Sequence, residues 1–135
     1  MAAIEIALRS VLVNDADVTA LVGSRIYPEH RQQGNSFPAI TYQLLGTQPQ
    51  NSATGHTNIT RASISFESID TSYGAAKTLA EKVRQALMDY SGTSEGVVVK
   101  SCHHDGDNVL IEDSQVAEDR GVSRIISDYI IWYES

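Results

Sequence analysis

One cysteine, Cys102, stands among 135 residues. A lone thiol excludes an internal disulfide framework and carries no mark of an oxidising compartment. Only three prolines occur, and no segment is a repeat or of low complexity. No apolar run approaches the roughly 20 residues a membrane helix needs. The N-terminal stretch MAAIEIALRSVL is apolar, but Glu5 and Arg9 interrupt it. It lacks the basic lead-in and unbroken apolar core of a signal peptide, so the chain is expected to stay in a cytosol-like space. Neither G-x-G-x-x-G nor G-x-x-x-x-G-K-[ST] is present, which leaves nucleotide binding without a motif. The G-x-S-x-G elbow of α/β-hydrolases is missing as well.

What is there is the composition of one globular domain, read as residues 1–135. Hydrophobic residues make up 41% and charged residues 20%, and this length buries roughly two thirds of the unfolded surface without staples. The net charge is -7, and it is uneven. Residues 1–58 and 59–100 are close to balance, whereas 101–135 hold Arg120 and Arg124 against eight acids. That distribution argues against tight binding to a DNA backbone, which requires clustered Lys and Arg.

Hydrophobic spacing predicts the elements. Ile4, Leu8, Val11 and Leu12 recur at helical intervals, giving a helix over about Ala3–Val13. Asn14 closes it, and Asp15 caps a short second helix ending near Leu21 and Gly23. Ser24–Tyr27 reads as a lead-out closed by Pro28. Glu29–Ser36 reads as a polar loop. Phe37-Pro38 opens a strand in which Ile40, Tyr42 and Leu44 share one side. Thr47–Asn58 (TQPQNSATGHTN) reads as a long exposed loop. Over Ile59–Ile69, Ala62, Ile64 and Phe66 alternate with polar residues, as in a sheet covered on one side. Ser72 caps a helix whose stripe is Ala76, Leu79, Ala80, Val83, Leu87 and Tyr90, ended by Gly92. Gly96–Cys102 and Ser123–Tyr133 read as strands, with Val109–Glu112 as a partner or a continuation of the first. Tyr129, Trp132 and Tyr133 suit a central strand or, alternatively, a subunit contact. Directly joined strands imply an antiparallel sheet. The expected fold is therefore α+β: a mainly antiparallel four-stranded sheet, with room for an extra hairpin, and helices on one face.

Chemistry-bearing clusters are sparse. His103-His104-Asp105-x-Asp107-Asn108 is the one run suggestive of metal or acid–base chemistry. Adjacent strand histidines point to opposite faces, and the run misses the calcium-loop pattern, so a surface hairpin tip explains it equally well. Cys102 beside His103 diverges for the same reason and reads as a small core residue. No catalytic set, cofactor site or metal site is expected.

The ordered pieces resemble the small tail-completion, or tail-terminator, proteins of long-tailed phages and prophages. The resemblance rests on LRSVLVNDADVTALVGSRIYP with its Leu21-Val22-Gly23-Ser24-Arg25-Ile26-Tyr27 stretch. It continues through Pro38-Ala39-Ile40-Thr41-Tyr42, the helix AKTLAEKVRQAL (Ala76 to Leu87) and Ser127-Asp128-Tyr129-Ile130-Ile131. It covers nearly the whole chain and is weakest over 93–120. It implies a non-enzymatic virion protein at the head-proximal end of the tail, held in the host cytoplasm before assembly. Such a protein caps the tail tube, ends its polymerisation and meets the head-side connector. It implies a homo-oligomeric ring, often hexameric, through which genome DNA passes without specific binding, and no membrane or cofactor. The expected contact residues are the polar loops: Glu29, His30, Arg31, Gln32 and Gln33 in the first, and Gln48, Gln50, Asn51, Thr54, His56 and Asn58 in the second. The acidic residues Asp105, Asp107, Glu112, Asp113, Glu118 and Asp119 are expected to line the lumen or rim. The competing readings are a small metal-dependent enzyme built on His103, His104, Asp105 and Asp107, and a dimeric α+β binding module of bacterial origin.

Overall fold

A computed structural model describes residues 4–28, 38–111 and 123–134. Three helices, α1 (Ile4–Val13), α2 (Ala16–Val22) and α3 (Tyr73–Leu87), accompany six strands. The strands are β1 (Ile26–Pro28), β2 (Ala39–Ser52), β3 (Gly55–Asp70), β4 (Gly92–Ser94), β5 (Val97–Ile111) and β6 (Ser123–Glu134). They form one sheet in the order β1-β2-β3-β6-β5-β4. All pairings are antiparallel except β1 with β2, which is parallel. The class is α+β as expected, but the four-stranded sheet is corrected to six strands in a mixed, curled half-barrel.

The extra strands are the short edge pieces. Ser24–Tyr27, read as a lead-out, supplies β1, which pairs Ile26 to Tyr27 with Ile40 to Thr41. Gly92, read as a helix stop, instead opens β4; α3 ends at Leu87 with Met88 as its cap. A three-residue strand holds no period long enough to register. The helix starts follow the capping chemistry. Asp15 accepts from the Val18 amide at 3.1 Å, and Ser72 from the Ala75 amide at 3.1 Å.

The Leu21–Tyr27 stretch has a mechanical reading. Gly23 takes φ 60° to turn the chain out of α2. Arg25 then donates to the Leu21 carbonyl at 3.2 Å and the Pro38 carbonyl at 2.8 Å. Arg9 reaches from α1 to the Ile26 carbonyl at 3.1 Å. Two guanidinium groups thus fasten α1, α2 and β1 to the start of β2.

The core lies between the helices and one face of the sheet. Leu8, Leu12, Val18, Leu79, Val83 and Leu87 pack against Ile40, Ile64, Phe66, Tyr129 and Ile131, all fully buried. Phe66 meets the Tyr129 ring edge-on at 5.7 Å between centroids. β6 is central, between β3 and β5, and its odd-numbered residues from Ser123 to Ile131 are buried while the even ones are half-buried.

The Tyr129 hydroxyl is buried and has no hydrogen-bond partner among the described residues. A buried polar group without a partner costs stability, whereas its apolar isostere does not. Tyr129→Phe should therefore be neutral or stabilising by up to about 1 kcal/mol. Phe66→Ala should lose about 3–5 kcal/mol through the cavity it leaves. Thermal or urea unfolding of the two variants checks the contrast; a strongly destabilised Tyr129→Phe would refute it.

Candidate assembly surfaces

Two long antiparallel strands, β2 and β3, reach beyond the rest of the sheet. Ladder pairing runs from Ala39 opposite Ile69 out to Ser52 opposite Gly55, so the turn is only Ala53-Thr54. β6 ends at Glu134 opposite Ile59, so the β3–β6 ladder stops there while the β2–β3 ladder runs on. Thr47–Asn58 is therefore not a loop but the outer part of a hairpin arm. Its polarity follows from its position. An arm with water on both sides needs no apolar period, so the alternation that betrays a half-buried strand is missing.

Two irregularities shape the arm. One register shift falls between Leu44 and Gly46, and Leu45 there is 55% exposed. The second falls between Gln50 and Asn51, where β3 carries the additional residues Thr57 and Asn58. Asn58 takes φ 64°, a conformation asparagine tolerates better than most residues. Bulges of this kind bend a hairpin and sharpen its twist. A groove of about 490 Å³ lies beside the first bulge, lined by Leu45, Gly46, Thr47, Gln48, Arg61 and Ser63.

The arm gathers Gln48, Gln50, Asn51, Thr54, His56 and Asn58 onto one projection, His56 being placed by its backbone opposite Asn51. Glu29, His30, Arg31, Gln32 and Gln33 lie outside the described residues, as do Glu112, Asp113, Glu118 and Asp119.

His103–Asn108 is corrected from a hairpin tip to the interior of β5, which runs unbroken from Val97 to Ile111 with a bulge between His104 and Gly106. The bulge separates the two histidines as strand geometry requires: His103 is exposed, and His104 is turned to the α3 side. There His104 Nε2 meets Asp107 Oδ1 at 2.8 Å, and its ring lies 5.2 Å from that of Tyr129. Asp105 sits in the bulge and is exposed. Among the described residues no group of three or more His, Cys, Asp and Glu is placed to hold a metal ion.

Partial burial pushes the Asp107 carboxyl up. Hydrogen bonds with Ser127 and His104 and the charges of His104 and Arg84 outweigh it and hold the group below its ordinary value. Burial, followed by the Asp89 charge, pushes the Cys102 thiol up to about 12, so it is not a nucleophile at neutral pH.

The other face of the sheet carries no helix among the described residues. It presents Arg61, Ser63, Ser65 and Glu67 from β3 beside Arg124, Ile126, Asp128, Ile130 and Trp132 from β6. Thr41 donates to Glu67 Oε2 at 2.9 Å, and the same oxygen faces Arg124 Nη1 at 3.7 Å. Charges of both signs thus alternate on a surface with half-buried aliphatic and aromatic side chains, with no cluster of cations. No described helix is long and apolar enough to cross a membrane.

The family model described as Tail completion protein gp17 matches residues 6–134. Among solved structures, a chain from the virion of a native gene transfer agent particle superposes with TM-score 0.70 at 18% identity, covering 98% of this chain and 96% of that one. A second solved chain superposes with TM-score 0.59 at 10% identity, covering 98% and 93%. No curated protein matches the sequence.

Two solution measurements follow from the β5 geometry. Cys102 should react with a thiol reagent at pH 8 only as fast as the protein opens, and at full speed in denaturant; rapid labelling of the folded protein would contradict its burial. The Asp107 carboxyl is lowered on folding, so its contribution is present above the unfolded value of ~3.9 and is lost as pH falls through the lower folded value. With the Asp107 side chain 43% exposed, Asp107→Asn should cost less than about 1 kcal/mol at pH 7 and less still at about pH 3, below the unfolded value. Urea melts at the two pH values read this directly.

Proposed function

Because the chain belongs to the Tail completion protein gp17 family, a family of structural tail components of phage-type virions, we propose that it caps the head-proximal end of the tail tube, ends tube polymerisation and presents the surface that the head-side connector meets. In this reading it acts as a homo-oligomeric ring, hexameric in keeping with the resemblance, and the genome passes through its centre without specific binding.

The observation that carries the reading is the β2–β3 arm. A two-stranded projection with polar side chains on both sides contributes little to its own core. It does offer backbone and amide groups to other chains. The arm is also rigid enough to hold a contact surface, because its ladder continues into the buried part of β2 and β3. The polar sheet face supports the passage of DNA in a second way. Arg61 and Arg124 are offset by Glu67 and Asp128, so that face holds no stripe of cations to retain a phosphate backbone. Asp105 and Asp107, the two acidic positions of the six that are described, fit a rim better than a smooth lumen wall, since Asp107 is turned toward α3 and Asp105 projects from a bulge.

The metal-dependent enzyme alternative rests on His103, His104, Asp105 and Asp107. Only His104 and Asp107 meet, and no third ligand accompanies them among the described residues. No observation favours it over an assembly role.

Shortening the arm tests the proposal. Replacing residues 51–58 by a two-residue Asn-Gly turn would join Gln50 to Ile59, which already face each other. The variant should keep its thermal midpoint within a few degrees, because no residue of the core is removed. Particles made with it should show tails unjoined to heads in electron micrographs. Normal yields of joined, infectious particles would refute a contact role for the arm.

A further inference from the structure

Among the described residues, part of each sheet edge has no strand alongside, and the two stretches complement each other. On the β2 side, β1 covers the edge only as far as Tyr42; from Gln43 to Pro49 no described strand lies alongside. On the β5 side, β4 covers Val97 to Val99, and the Asp89 amide donates to the Cys102 carbonyl at 2.9 Å. From His103 to Ile111 no described strand lies alongside. Strand directions alternate from β2 through β3 and β6 to β5. A β5 set beside the β2 of a neighbour with the same orientation is therefore antiparallel to it.

We propose that copies of this chain join head to tail by pairing the β5 edge of one copy with the β2 edge of the next, so that the four long strands of successive copies form one continuous antiparallel sheet. The inference rests on the ring reading above and names the contact that closes the ring.

Three constraints fix the register. Residues directly opposite each other in a ladder must share a face. The pairing must stop below Tyr42, where β1 begins, and short of Cys102, whose carbonyl is taken. Pro49 has no amide to give, so it suits the end of a ladder rather than its middle. Setting Thr47 opposite Asp107 satisfies all three: both point to the α3 side, being opposite Ala62 and Ser127 in their own copy. Leu45 is the additional residue of its bulge, so Gln43 then faces Leu110, both on the reverse side, and Pro49 faces the bulged Asp105.

This register also sets a slope. Within one copy, Thr47 is level with Ala62 and Asp107 with Phe66, so each junction steps about four residues, or ~13 Å at ~3.3 Å per residue. Four strands at ~4.8 Å are ~19 Å wide. The strands then tilt by roughly 35° to the ring axis, the tilt at which sheets close into barrels. The helices fall on one side of this barrel and the charge-balanced face of Arg61, Glu67, Arg124 and Asp128 on the other.

Charge selects this junction over a two-fold one. A β5–β5 pair would bring Asp105 and Asp107 of both copies together, and like charges opposite each other destabilise a sheet. No acidic or basic residue occurs between Ala39 and Gly55, so the β2 edge meets β5 without repulsion.

The test is disulfide trapping in assembled tails. The variant Thr47→Cys with Asp107→Cys, mildly oxidised in particles, should give a ladder of covalent oligomers on a denaturing gel under non-reducing conditions. Either single variant should give none, and neither should Gln48→Cys with Asp107→Cys, whose side chains face opposite ways. Tails that carry the double variant at their end but yield no ladder would overturn the edge pairing while leaving the capping role intact. Where the double variant does not assemble, amide exchange of the unaltered protein decides. The amides within 43–48 and 105–110 that point away from their own sheet should exchange at least tenfold more slowly in tails than in the free chain, and equal rates would overturn the proposal. The position of the protein along the tail, read by labelling in the same micrographs, reports separately on the capping role.

Discussion

Everything in this structure depends on α3 covering one face of the sheet and nothing described covering the other. The stripe Ala76, Leu79, Ala80, Val83 and Leu87 is buried on β3, β6 and β5. It finds there the inward residues of three strands, led by Phe66 and Tyr129. Cover by α3 sets the alternation seen along β3 and β6, since each strand must be apolar toward the helix; on the reverse, Thr41 and Ile69 are buried while Arg61 and the even residues of β6 up to Trp132 are half-buried. It also leaves the sheet free to extend. Strands that run past the helix lose their apolar requirement, and β2 and β3 do so at the arm.

That same division decides what could be read from the sequence. α3, β3 and β6 announce themselves because each carries a full period of buried residues: Ala62, Ile64 and Phe66 at a spacing of two, Leu79, Val83 and Leu87 at a spacing of four. The caps Asp15 and Ser72 are legible because their side chains accept from the helix amides they precede. β1 and β4 are not legible, because a three-residue strand gains its order from a neighbour distant in the chain. Ile26 is a strand residue only because Ile40 lies alongside it.

The arm was hidden for a different reason. TQPQNSATGHTN carries the composition of a loop, and composition is the proper guide when a segment has no partner of its own. Here the partner is the returning half of the same segment, so pairing is local and needs no buried side chain. The clues are the near-central Ser-Ala-Thr-Gly turn and an Asn at the position that needs φ 64°. They identify a hairpin once the register is known, but do not outweigh Pro49 and the run of amides beforehand. For the candidate contact residues the consequence is favourable. Gln48 and Asn51 lie in the ladder and Thr54 in the turn that closes it, so the hairpin holds the three in fixed relation to one another.

An extended sheet with bare edges carries a hazard, because any exposed ladder can pair with any other. Among the described residues, this chain meets it with local irregularities. β2 has a bulge at Leu45 and the imide of Pro49; β5 has a bulge at Asp105 and a second carboxylate at Asp107. Each device makes its edge a poor match for itself or for a regular strand. A matching edge must tolerate a bulge at one end and require no donor at the other, and it must carry no negative charge. The β2 edge meets that description for β5. Under the proposed pairing, the features that protect the free chain from indiscriminate pairing are thus the ones that leave a single productive junction.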